Sequence, residues 1–127
     1  MATTAIWQAE MIGRHFLAIS QVVGDYRYRH YEIMGKAQLR TFSGLHTTLL
    51  GYVDQFPVYA VHMDVKKMQH TMQALDKIAA KFQREYVGLT PVNLAITAGV
   101  LAVQLGAACL CGNAEAIVNT IEVLNRP

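Results

Sequence analysis

Residues 64–88 read DVKKMQHTMQALDKIAAKFQREYVG. Val65, Met68, Met72, Leu75, Ala79, Phe82 and Tyr86 follow one another at steps of three and four, the spacing that lines up one side of an α-helix. Lys66, His70, Gln73, Lys77, Lys81 and Arg84 repeat at the same spacing on the opposite side. The stretch therefore predicts a helix with one dry face and one basic face. Asp64 suits its N-cap and Gly88 its stop.

Downstream, PVNLAITAGVLAVQLGAACLC (residues 91–111) is almost wholly apolar. A helix start is marked by Thr90 as cap and Pro91 as first helical residue. Apolar side chains point in every direction, so this helix should be surrounded, either by lipid or by protein. About 20 apolar residues suffice to span a bilayer. Asn93, Thr97, Gln104 and the many Ala and Gly speak for a protein interior. Gly112 ends the helix and Asn113 caps a last one, with Ile117, Ile121 and Leu124 as its inner stripe.

Upstream, residues 3–23 read as a helix, with Ile12, Phe16, Ile19 and Val23 on one face. Gly24 is expected to stop it and Asp25 to cap the next segment. Residues 26–42 read two ways. YRYRHY (26–31) alternates like a strand, while Arg29, Lys36 and Arg40 share a face if the segment is helical; helix is the preferred reading. Residues 42–57 read as a connection or a short helix ended by Pro57. The fold class is all-α: a basic N-terminal helical arm (residues 1–57) followed by a compact helical bundle (residues 58–127).

Charged residues make up only 16% of the 127, against 53% hydrophobic. So little charge predicts surface buried against other copies or against a membrane. No basic segment leads into an apolar run at the N-terminus, so no signal peptide is expected. Cys109 and Cys111 sit two apart, unable to face each other on a helix, and are expected to be small buried hydrophobes.

Catalytic patterns are missing from the sequence. The five histidines form no HExxH motif, no Gly-rich phosphate loop follows a strand, and no Ser or Cys stands in a nucleophile elbow. No enzyme activity, cofactor or metal is expected. A helix-turn-helix is rejected too, because AVQLGAACLCG carries only Gln104 as a base-reading side chain.

The distribution of cations remains. Arg14, Arg27, Arg29, Lys36 and Arg40 occupy the front of the chain, and Lys66, Lys77, Lys81 and Arg84 the long amphipathic helix. Tyr26, Tyr28 and Tyr31 add hydroxyls among them. Lys and Arg contact phosphates irrespective of base sequence. These twelve residues are the expected DNA-backbone contacts.

The ending LCGNAEAIVNTIEVLNRP (residues 110–127) is similar to the closing helix of a known family: a Gly/Asn turn, a Glu, then an Ile/Val/Asn-rich helix, here Gly112, Asn113, Glu115, Ile117, Val118 and Asn119. Together with the length, the low charge and the basic front half, the chain resembles the small helical major capsid proteins of filamentous and rod-shaped archaeal viruses (rudivirus, lipothrixvirus and tristromavirus types). That resemblance implies a structural subunit that wraps double-stranded DNA, held in A-form, inside a helical virion assembled in the host cytoplasm. It implies dimers of this chain, or of it with a second related capsid protein, with front helices inward and back helices as the outer wall. Two other expectations stand beside it. One is a membrane-embedded, pilin-like filament subunit with residues 91–111 in lipid. The other is a soluble helical adaptor or chaperone using the Val65–Tyr86 stripe as a groove.

Overall fold

The computed structural model describes residues 2–59 and 65–125, with side chains over residues 7–58 and 69–125. Five α-helices account for them: α1 (Ala2–Arg29), α2 (Lys36–Tyr59), α3 (Val65–Glu85), α4 (Val92–Cys111) and α5 (Ala114–Leu124). Single 3₁₀ turns, Tyr31–Ile33 and Tyr86–Gly88, follow α1 and α3. No strand occurs among the described residues, and the chain is all-α.

The helices close a ring. α1 packs on α2 and α3, α2 on α4, α4 on α5, and α5 returns to α3. The expected inner face of α1, Ile12, Phe16, Ile19 and Val23, is buried, and so are Leu75, Ala79 and Phe82 of α3 and Tyr86 of the turn that follows it. All of them belong to one core, which also takes in Phe42 and Tyr52 of α2 and Leu105 of α4. The division at residue 57 therefore does not separate two cores, and no basic arm stands apart from the bundle among the described residues. An amphipathic α1 with this much apolar surface gains more by burial than by projecting into water.

Aromatic rings fill the core in two groups. Tyr26 stacks on Phe42 with ring centroids 5.1 Å apart and meets Tyr86 edge-on at 5.3 Å. Phe16, Tyr52 and Phe56 form the second group. Three hydroxyls from these rings reach backbone carbonyls: Tyr26 donates to Leu89 (2.6 Å), Tyr52 to Val103 (2.8 Å) and Tyr86 to Ala95 (2.7 Å). Buried tyrosines need such partners, and here the partners belong to α4 or the turn leading into it.

Several sequence signals yield to packing. α1 runs through Gly24 and Asp25 to Arg29, because α2 crosses closely there: a Cβ on Gly24 would stand 3.1 Å from the His46 ring. Glycine at that position makes room for a neighbour instead of stopping a helix. The YRYRHY alternation is the end of α1 plus a 3₁₀ turn, with no strand. Tyr26 and His30 sit four apart and face inward, while Tyr28 between them faces out. α2 passes Pro57 and ends at Tyr59, two residues beyond it. Pro91 is itself the N-cap of α4 and Thr90 makes no cap bond. α4 is buried along one side only, so Cys109 is buried and Cys111 exposed. Asp64, the expected cap of α3, lies outside the described residues.

The α4–α5 corner follows its sequence. Gly112 adopts the left-handed conformation (φ 67°), Asn113 N–H donates to the Ala108 carbonyl, and Gly112 N–H to that of Cys109. The Asn113 side chain then accepts from Ala116 N–H at 3.1 Å, opening α5.

Candidate nucleic-acid interface

The candidate cations do not form one surface. Arg27, Arg29, Lys36 and Arg40 gather around the α1–α2 turn. Arg29 and Lys36 are exposed on either side of the break, and Arg40 lies one turn after Lys36 on the same side of α2. Arg27 is half-buried and donates from Nε to the Leu39 carbonyl at 3.4 Å, which ties the end of α1 to α2. Arg14 lies fifteen residues before Arg29, about 22 Å along the helix axis, and belongs to another part of the surface.

Rings stand beside these cations. Tyr28 is 83% exposed and Tyr31 56%. Ile33, which the charge pattern did not single out, is 64% exposed in the same turn. Its exposure had no signature, because a residue in a break between helices carries no periodicity. Tyr26 is removed from the candidate set: it is fully buried, and its hydroxyl is engaged with Leu89. Burial also raises the Tyr26 phenol above its ordinary value, so it stays a neutral donor.

On α3, Lys77 and Arg84 are exposed, with Arg84 in the last turn. Lys81 is half-buried and its Nζ donates to the Leu124 carbonyl at 3.1 Å, near the C-terminal end of α5, where a cation suits the helix dipole. Lys81 thus braces α3 against α5. Lys66 has no described side chain. The end of α3 approaches the turn cluster: Gln83 and Val87 share an open cleft of about 420 Å³ with Asp25 and Arg29. Arg84 is not among the residues that line this cleft.

Lys36 is placed against the helix dipole. It is the first residue of α2, whose first turn holds no acid. A cation at a helix N-terminus costs about 0.3–1 kcal/mol where an acid would contribute that much. Among the described residues no hydrogen bond or ion pair engages Arg29, Lys36, Arg40, Lys77 or Arg84. Asp25, Glu32 and Glu85 are the acids of this end, so it retains a positive excess.

The other polar clusters have structural roles. Ser20 and His46 meet between α1 and α2, with Oγ and Nδ1 3.1 Å apart. Nδ1 lies nearer the Ser20 carbonyl, at 2.8 Å, and a ring N–H donating there cannot accept the hydroxyl proton. The Ser20 hydroxyl donates to the His46 carbonyl instead. The pair is a helix clamp, without the geometry of a nucleophile and its base. His15 is held below its ordinary value by burial, partly offset by Asp76. Burial pushes the Cys109 thiol up to about 12, which keeps it protonated. Among the described residues no three His, Cys, Asp or Glu side chains converge on a metal-sized site.

No protein-family model, no curated protein and no solved structure matches this chain.

Proposed function

We propose that this protein is a structural, non-enzymatic subunit that binds double-stranded DNA through its phosphates, irrespective of sequence, and coats it as a filament. The observation that carries the reading is the α1–α2 turn. Arg29, Lys36 and Arg40 are exposed there without an ion pair among the described residues, beside the exposed Tyr28 and Tyr31. A free cation at a helix N-terminus, as Lys36 is, does nothing for the stability of the fold, but it suits a polyanion. Duplex DNA carries one charge per about 1.7 Å of axis, so a few cations per subunit cover a few base pairs. A coat has no need of base-edge readout, because contact with the phosphates suffices. The resemblance of residues 110–127 to archaeal filamentous-virus capsid proteins is what directs the reading to a virion.

The experiment is fluorescence anisotropy with short duplexes of unrelated sequence over a range of salt. Binding should be alike for all of them and weaken steeply as salt rises. Arg29→Ala with Arg40→Ala should weaken every duplex equally and lower the salt slope by about 2. No binding, binding indifferent to salt, or a strong preference for one sequence would each overturn the proposal.

One observation favours a second reading, a membrane-bound filament subunit. α4 has 20 residues, and an 18-residue window of it has a mean hydropathy of 2.1, long and apolar enough to cross a bilayer. Against it, the Tyr52 and Tyr86 hydroxyls are bonded to backbone carbonyls of α4, which seats that helix in the bundle. Recovery of the protein in membranes during detergent-free extraction would favour this reading over a DNA coat.

A further inference from the structure

Three large apolar side chains lie open to water where α1 gives way to α2: Tyr28, Tyr31 and Ile33. The two tyrosines end in hydroxyls, which suit phosphate or sugar oxygens. Ile33 has no polar atom, so a phosphate offers it nothing and water is a poor neighbour for it. Yet it is flanked by cations. Arg29 stands four residues before it and Lys36 three after, both exposed and neither engaged by a hydrogen bond or ion pair among the described residues. Glu32, the acid between, points about a third of a turn away from Ile33 in the 3₁₀ helix.

The backbone that carries Ile33 is braced. Its N–H donates to the His30 carbonyl at 3.1 Å, and the Met34 N–H to that of Tyr31 at 3.3 Å. Before it, the His30 ring donates from Nε2 to the Val87 carbonyl at 2.8 Å and packs on Tyr26. After it, the Met34 side chain is buried in the core. Ile33 is therefore an apolar tip held on a fixed support, with a cation on either side. A polyanion with broad apolar faces inside it complements such a tip, and stacked base pairs within a phosphate shell are that combination.

We propose that Ile33 is a wedge that enters the minor groove and unstacks two base pairs, while Arg29 and Lys36 hold phosphates on either side. Isoleucine is one of the side chains by which proteins kink a duplex in this way. The role rests on the DNA reading above and adds to it a local opening of the duplex by each subunit. Its pull is toward steps that deform easily, without readout of base edges, so any duplex can still be bound.

The test places aminopurine, an adenine analogue whose fluorescence stacking quenches, at the centre of a short duplex and reads its intensity together with anisotropy. Binding of the wild-type chain should raise the fluorescence. A duplex with one central mismatch, whose step is already partly open, should bind about tenfold tighter than the intact one. Ile33→Ala should bind with an unchanged salt slope but lose both the fluorescence rise and the mismatch preference, whereas Ile33→Leu should keep them. Arg29→Ala with Arg40→Ala should do the reverse: a lower salt slope, with the rise retained once the duplex is bound. Salt-dependent binding of the wild-type chain without a rise, or a rise that Ile33→Ala leaves intact, would overturn the wedge and leave the DNA reading standing. No binding to any duplex would overturn both.

Discussion

α3 and α4 have nearly the same length, 21 and 20 residues, and each buries one side in the same core. They do so by opposite means. In α3 the large residues point inward and the charged ones outward. In α4 the inner side is mostly small, with Ala95, Gly99, Ala102 and Gly106 buried beside Val92 and Leu105, while Leu94 and Val100 are exposed. The difference lies in what each helix meets. α3 brings its own bulk to the core. α4 receives bulk from elsewhere: Leu45 and the Tyr86 hydroxyl face Gly99, and the Tyr52 ring lies directly over Gly106. A helix can thus be seated in part by the rings of its neighbours, with Leu94 and Val100 left on its outside.

The strongest way to break this comparison is to fill the inner side of α4. A Cβ at Gly106 would collide with the Tyr52 ring, and the ring cannot move without losing its bond to Val103. Gly106→Val should lower stability by about 3 kcal/mol or more. Urea unfolding measures it; an unchanged midpoint would mean that Tyr52 does not seat α4. The next effect isolates one hydroxyl. Tyr86→Phe keeps the ring between α1, α3 and α4 but removes the buried bond to Ala95, and should cost about 1–1.5 kcal/mol by the same measurement. A loss as large as that of Gly106→Val would show that this bond anchors the helix by itself. The smallest effect belongs to the outer side of α3. Lys77 is exposed and unpaired among the described residues, so Lys77→Ala should change the unfolding free energy by less than about 0.5 kcal/mol. A larger loss would mean that the basic face supports the fold.

These two helices also mark how far the sequence could be read. α3 was legible because its polar and apolar residues alternate at helical spacing, and its inner face can be counted from the letters. α4 was legible as a helix, but its buried side was not. With no charge to mark the outside, its orientation depends on Tyr86 in the preceding turn and on Tyr52, which is 51 residues from the carbonyl it bonds. Local punctuation misled for the same reason. Gly24 lowers helix propensity by about 1 kcal/mol, but the close crossing with His46 outweighs it and α1 continues. The cation pattern located the α1–α2 turn but not its composition. It included the buried Tyr26, missed the exposed Ile33, and grouped Lys81, which braces α5, with cations that face water. Charge can be read from a string of residues, whereas its availability depends on packing.

The bonds from Tyr52 and Tyr86 to α4 end on peptide oxygens. A peptide oxygen is present whatever amino acid occupies the position. The outward letters of that helix are therefore free to drift over generations while the lock beneath them holds. A lineage could change what its bundle adheres to without redesigning the bundle.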